Sequence, residues 1–231
     1  MSAHTFKMKT ILLSDSMGRF FPESKNHKTH FWPGIGIDVM RRIVGEKIID
    51  DIKYADVLIV WVGTNDLNEN VQPKDIVKAY QFFLGYLALM MPSTKILLLP
   101  IFPRNDSKVK DQKRKKVNRL TKKLLREPRF KRVSFMKTER IFETSQKRKN
   151  KGDQFSVKQE FYRLDGLHLN DRGIERLHRY IMQYIKENLS ADPRSKIAER
   201  VERANIAHGL CTEETPGDRS FDFEEPDVSI D

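Results

Sequence analysis

Short, continuous apolar runs recur along the chain, at residues 10–13, 55–62, 95–102 and, more weakly, 132–136. Runs of this length suit strands buried on both faces, as in a parallel sheet covered by helices. A fifth strand-like stretch lies at 29–32. The segments between the runs have helical spacing. Over 37–52, Val39, Met40, Ile43, Val44 and Ile48 share one face, and Pro73–Met90 is rich in Tyr, Phe, Leu and Ala. Val109, Val117, Leu120 and Leu124 form an apolar stripe on an otherwise basic helix. Asn170 is placed to cap a last helix carrying Ile174, Leu177, Ile181 and Ile185 on one face. Strand and helix alternate, so the pattern predicts an α/β fold with a mostly parallel sheet.

Beyond residue 190 the pattern changes. Asp192-Pro193 reads as a helix start, followed by a thin stripe of Ile197, Val201 and Ala204. From 209 onward the composition is that of disorder. The expected organisation is a domain over 1–190, a helical extension over 191–208 and a disordered acidic tail over 209–231.

Charge sharpens this division. The formal net charge is +11, yet residues 212–231 hold eight acids and one arginine, leaving +18 on the rest. Such a field attracts polyanions or anionic surfaces. It is densest over 104–151, with twenty bases against five acids, including Lys113, Arg114, Lys115, Lys116, Lys147, Arg148 and Lys149. These seven are the candidate nucleic-acid contacts, with RNA or another polyanion as the candidate partner in an alternative reading. Phe130, Phe135 and Phe142 interleave with the bases and are assigned to the core. A protein partner is a further option for residues 191–231. The single cysteine, Cys211, gives no internal disulfide, and the N-terminus has no apolar stretch of signal-peptide length. A cytoplasmic or nuclear protein without a transmembrane segment is expected.

The polar residues that could do chemistry cluster after the apolar runs. Ser16 follows the first, Asn65 follows the second, and Asp165 and His168 precede the last helix. In an open α/β sheet the carboxyl ends of the strands meet at one edge, where ligands bind. A serine hydroxyl becomes a nucleophile when a base takes its proton. His168 is the candidate base. Asp165, three residues earlier across Gly166, can reach Nδ1 and leave Nε2 for the serine. The backbone N–H groups of Ser16 and Gly34 and the amide of Asn65 are candidate oxyanion donors. One such donor typically lowers a barrier by about 2.7–4 kcal/mol.

Ser14-Asp15-Ser16, Pro33-Gly34, Gly63-Thr64-Asn65-Asp66 and Asp165-Gly166-Leu167-His168-Leu169-Asn170 resemble the successive blocks of the SGNH (GDSL-type) hydrolase superfamily. The resemblance spans residues 10–189. It implies a flavodoxin-like α/β/α sandwich around a parallel sheet of about five strands in the order 2-1-3-4-5. It also implies a carboxylic-ester hydrolase with Ser16 as nucleophile, His168 as base, Asp165 as its orienter and Gly34 and Asn65 as oxyanion donors. It implies no metal or cofactor, and a small acyl ester as substrate. The chain departs from the pattern at Ser14, where the family usually has glycine, so a Cβ is added beside the nucleophile turn. Pro33-Gly34-Ile35-Gly36 offers two glycines, of which Gly34 more closely follows the strand-like stretch. A body of this type can instead serve as an RNA-binding module. Ser16, Asn65, Asp165 and His168 together favour the enzyme, and the charge favours the binder.

Overall fold

The structure, a computed structural model, describes residues 8–148 and 152–189. The expected extension over 191–208, the acidic tail and Lys149 lie outside the described residues. Five strands, β1 (Thr10–Ser14), β2 (His27–Phe31), β3 (Val57–Trp61), β4 (Lys95–Leu98) and β5 (Val133–Phe135), form one parallel sheet. Their order is β2-β1-β3-β4-β5, the expected one.

Alternate residues of β1, β3 and β4 enter opposite cores. Ile11, Leu13, Leu58, Val60, Ile96 and Leu98 pack with α1 (Ile37–Ile43), α3 (Pro73–Met90) and α4 (Lys108–Leu124). Leu12, Val57, Ile59, Trp61 and Leu97 pack on the other face with α6 (Asp171–Asn188). Burial on both faces explains why these strands read as unbroken apolar runs. Phe130 and Phe142 are buried, as assigned.

Three local features differ from the sequence pattern. The helix expected over 37–52 is interrupted. α1 passes into a π-helical turn at Val44–Ile48, and α2 follows at Ile49–Ile52. A 3.6-residue period cannot reveal one extra residue in a turn, and Val44 and Ile48 are buried with either count. On α4 the buried face is Arg114, Val117, Asn118, Thr121 and Leu124, while Val109 is exposed. Of the buried polar members, Arg114 and Asn118 find partners on other elements, while the Thr121 hydroxyl has none among the described residues. Asn118 donates to the Ile101 carbonyl (2.9 Å) and accepts from the Ile101 N–H (3.0 Å). Finally, after α5 (Glu139–Phe142), the chain forms an antiparallel hairpin of β6 (Glu143–Arg148) and β7 (Gly152–Val157), which none of the apolar runs signals. Among the described residues no helix is long and apolar enough to cross a membrane.

Candidate active site

Register brings the separated residues to one edge. Ser14 of β1 pairs with Phe31 of β2 on one side and with Trp61 of β3 on the other. Ser16, Gly34 and Asn65 therefore follow three adjacent parallel strands by two, three and four residues. The Trp32 N–H donates to the Ser14 carbonyl (3.0 Å) and the Asp15 N–H to the Trp61 carbonyl (3.3 Å), extending the pairing toward the loops.

Ser16 opens a 3-10 turn, Ser16–Gly18, capped by Asp15, whose Oδ1 accepts the Met17 N–H at 3.0 Å. The first amide of such a turn has no acceptor within it, which leaves the Ser16 N–H available. Asp15 is fully buried, and its Oδ2 has no partner. Burial pushes its carboxyl up to about 7, against the Met17 N–H and with help from the Asp66 charge.

The Cβ that Ser14 adds is accommodated. Its Oγ donates to the Trp61 carbonyl at 2.8 Å. Gly18 faces it, and a Cβ at Gly18 would lie 2.5 Å from the Ser14 Cβ. The room that the usual glycine would provide at 14 is provided at 18.

His168 arrives on a closed loop. Tyr162 and Leu169 form an antiparallel bridge, the Arg163 N–H donates to the His168 carbonyl (2.8 Å), and the Gly166 N–H donates to the Arg163 carbonyl (3.0 Å). Gly166 has a φ of +66°, and a Cβ there would come within 3.3 Å of the Asp106 nitrogen. Glycine thus suits both the left-handed conformation and the close approach. The Gly166 carbonyl accepts the Asn105 N–H at 2.8 Å, seating this loop on the one after β4.

In this arrangement Ser16 Oγ lies 3.1 Å from His168 Nε2, and His168 Nδ1 lies 2.7 Å from Asp165 Oδ2. Asp165 Oδ1 accepts the N–H groups of Leu167 (2.8 Å) and His168 (2.9 Å). Partial burial pushes the Asp165 carboxyl up, but these two N–H groups and the imidazole outweigh it and hold it below its ordinary value. The geometry suits proton transfer from the hydroxyl to Nε2, with the carboxylate fixing the tautomer.

The candidate oxyanion donors sit on tied loops. Gly34 has a φ of +76° and is exposed, and its N–H donates to no described backbone acceptor. Asn65 Nδ2 donates to the Ile35 carbonyl at 2.9 Å, using one of its two hydrogens. Asp66, given no role of its own by the sequence, accepts the Ile37 N–H through both oxygens (3.2 and 3.1 Å). The 63–66 block thus holds the 33–37 loop through two neighbouring side chains. The exposed ring of Phe20, next to the Ser16 turn, has the Arg163 guanidinium 4.3 Å from its centroid and that of Arg19 at 5.3 Å. Sequence offered no sign of this bridge, because its parts lie about as far apart in the chain as Ser16 and His168.

The expected nucleic-acid contacts fare differently. Arg114 is buried, ion-paired with Asp111 (2.6 Å) and with Glu143. It is a core residue of the α4 face, unable to present its guanidinium to an outside polyanion. Lys113 Nζ donates to the backbone carbonyls of Asn68, Glu69 (3.1 Å) and Val71 (2.9 Å), bracing the loop that precedes α3. Lys115 pairs with Asp111 at 3.1 Å. Lys116 is exposed, and Lys147 and Arg148 fall on β6.

The sequence matches the model of the GDSL-like lipase/acylhydrolase family over residues 28–176, a span that opens within β2 and excludes Ser16. No curated protein has a matching sequence. Solved structures share the fold. A GDSL-like lipase from Bacteroides thetaiotaomicron superposes with a TM-score of 0.62 at 14% identity, over 82% of this chain and 93% of its own. A lipase from a goat rumen metagenome gives 0.59 at 17% identity, over 76% and 96%. A carbohydrate esterase family 3 protein from Talaromyces cellulolyticus gives 0.56 at 16% identity, over 78% and 99%.

Proposed function

Because the chain belongs to the GDSL-like lipase/acylhydrolase family, we propose that it is a serine hydrolase acting on carboxylic esters through an acyl-enzyme on Ser16. The observation that carries this reading is the unbroken hydrogen-bond path from Ser16 Oγ through the His168 imidazole to Asp165 (3.1 and 2.7 Å).

His168 Nε2 takes the hydroxyl proton as Oγ attacks the ester carbonyl. The carbonyl oxygen becomes an oxyanion and is met by the N–H groups of Ser16 and Gly34 and the free Asn65 Nδ2 hydrogen. The imidazolium, stabilised by ionised Asp165, returns its proton to the leaving alcohol as the carbon–oxygen bond breaks. Water then gives a proton to His168, attacks the acyl carbonyl and releases the acid, restoring Ser16 and the neutral imidazole.

The substrate is a small acyl or acetyl ester. Supporting this is an open setting: Asp165 and His168 side chains are 47% and 33% exposed, and Gly34 is at the surface. A site this open suits a short acyl group better than a long chain that needs an enclosed apolar channel.

A fluorophosphonate probe and a short p-nitrophenyl ester test the proposal together. Wild-type protein should be labelled and should hydrolyse the ester, whereas Ser16→Ala should do neither. Equal labelling and turnover by both proteins would remove the reading.

A further inference from the structure

We propose that the cavity between α6, α5 and the 158–161 turn binds a compact ligand carrying two or more phosphate groups. The cavity has a volume of about 670 Å³. Six cations line it: Lys137, Arg140, Lys158, Arg172, Arg176 and Arg179. No carboxylate is among its described lining residues. Ser16 and His168 are absent from its wall, so it is separate from the proposed reaction centre.

The cations are placed by regular structure. On α6, Arg172, Arg176 and Arg179 recur at the spacing of one helical side, while Ile174, Leu177 and Ile181 face the core. This row spans roughly 10 Å along the helix axis. Lys137 just precedes α5, Arg140 lies within it, and Lys158 comes from the turn after β7.

Among the described residues little offsets these charges. Arg179 has Glu175 at 3.5 Å, and Lys158 Nζ donates to the Ile141 carbonyl at 3.0 Å. Lys137, Arg140, Arg172 and Arg176 make no ion pair with the described residues. Like charges around one concavity repel one another and focus a positive potential into it. Guanidinium groups on facing walls can each grip a phosphate through two hydrogen bonds. Phe161, Tyr180 and Ile141 supply an apolar floor.

The shape favours a small ligand over a nucleic acid or a membrane. Those partners need an extended track of free charge. Here six cations share one hollow, whereas on the basic helix α4 Arg114, Lys115 and Lys122 are paired with carboxylates, and Lys116, Arg119 and Lys123 are exposed without an ion pair among the described residues.

Isothermal titration of the full chain with inorganic tripolyphosphate, at about 150 mM salt, tests this. The expected result is saturable 1:1 binding, equal in wild type and Ser16→Ala. The double variant Arg140→Glu/Arg176→Glu should weaken it about a hundredfold, since two charge-assisted contacts are lost. The same charge change at exposed positions of α4, Lys116→Glu/Lys123→Glu, should leave it within about twofold. Arg140→Gln/Arg176→Gln serves if the reversed pair does not fold, with loss in the same direction. Absence of saturable binding would overturn the proposal, as would equal loss in the two double variants. So would binding confined to a single-stranded RNA oligonucleotide or to phosphatidylserine vesicles in parallel titrations.

Discussion

At the scale of single residues, the exchange between positions 14 and 18 makes a sharp prediction. Gly18→Ala would drive a methyl group to about 2.5 Å from the Ser14 Cβ, an overpacking that typically costs about 1–3 kcal/mol. Ser14→Gly removes the obstacle and loses only the Oγ bond to Trp61, about 1 kcal/mol. The double variant should therefore be more stable than the two single losses added together. A urea double-mutant cycle measures this, and simple additivity would contradict it. The sequence shows the extra Cβ at Ser14, but the compensating gap at Gly18 depends on how the 3-10 turn folds back. Two buried titrating groups give opposite pH effects. His27, packed between Phe21 and His178, has neither ring nitrogen bonded, and burial pushes it down to about 4. The unfolded chain takes that proton first, so stability present above about 6.5 is lost as pH falls toward about 4. Asp15 is raised from 3.8 to about 7, so its contribution is full below 3.8 and is lost as pH rises to about 7. Thermal melts across this window should show His27→Leu losing less stability than wild type on acidification. Asp15→Asn should lose less than wild type as pH rises through the same window.

At the scale of elements, α6 links helix capping to the site. Asn170 Oδ1 accepts the Gly173 N–H (3.0 Å), while Nδ2 donates to the carbonyls of Glu160 (3.0 Å) and Tyr162 (3.1 Å). Asn170→Asp retains the cap acceptor and removes both donors. It should cost about 1–3 kcal/mol of stability for the two lost hydrogen bonds and lower kcat, because the tethers beside the His168 loop are gone. Asn170→Ala should lower both. Equal kcat for Asn170→Asp and wild type would show that the tethers do not position the imidazole. The cap and the apolar face of α6 are legible in sequence, since both are local. The face of α4 is not, because Arg114 and Asn118 enter the core only through partners at Glu143 and Ile101. The β6–β7 hairpin is hidden for a related reason: residues 143–157 carry no strong alternation, and the pairing supplies what the pattern lacks.

At the scale of the whole molecule, strand order and register gather Ser16, Gly34 and Asn65 at one edge, and the 162–169 loop adds His168. Chain order and strand ends are enough to anticipate that convergence. Net charge is a poorer guide, because it counts Arg114 like any surface base. Arg114→Ala would leave Asp111 and Glu143 facing each other without their shared cation. Losing one partner of a buried pair typically costs about 3–5 kcal/mol. Chemical denaturation should find a loss in that range, and a stability close to wild type would refute the assignment of Arg114 to the interior. The seat of Gly166 against Asn105 and Asp106 makes the imidazole's position depend on two separate crossovers. An insertion after β4 would then slow turnover while every reacting group remained in the chain. Such an enzyme would look intact in any residue-by-residue inventory and still be disabled from a distance.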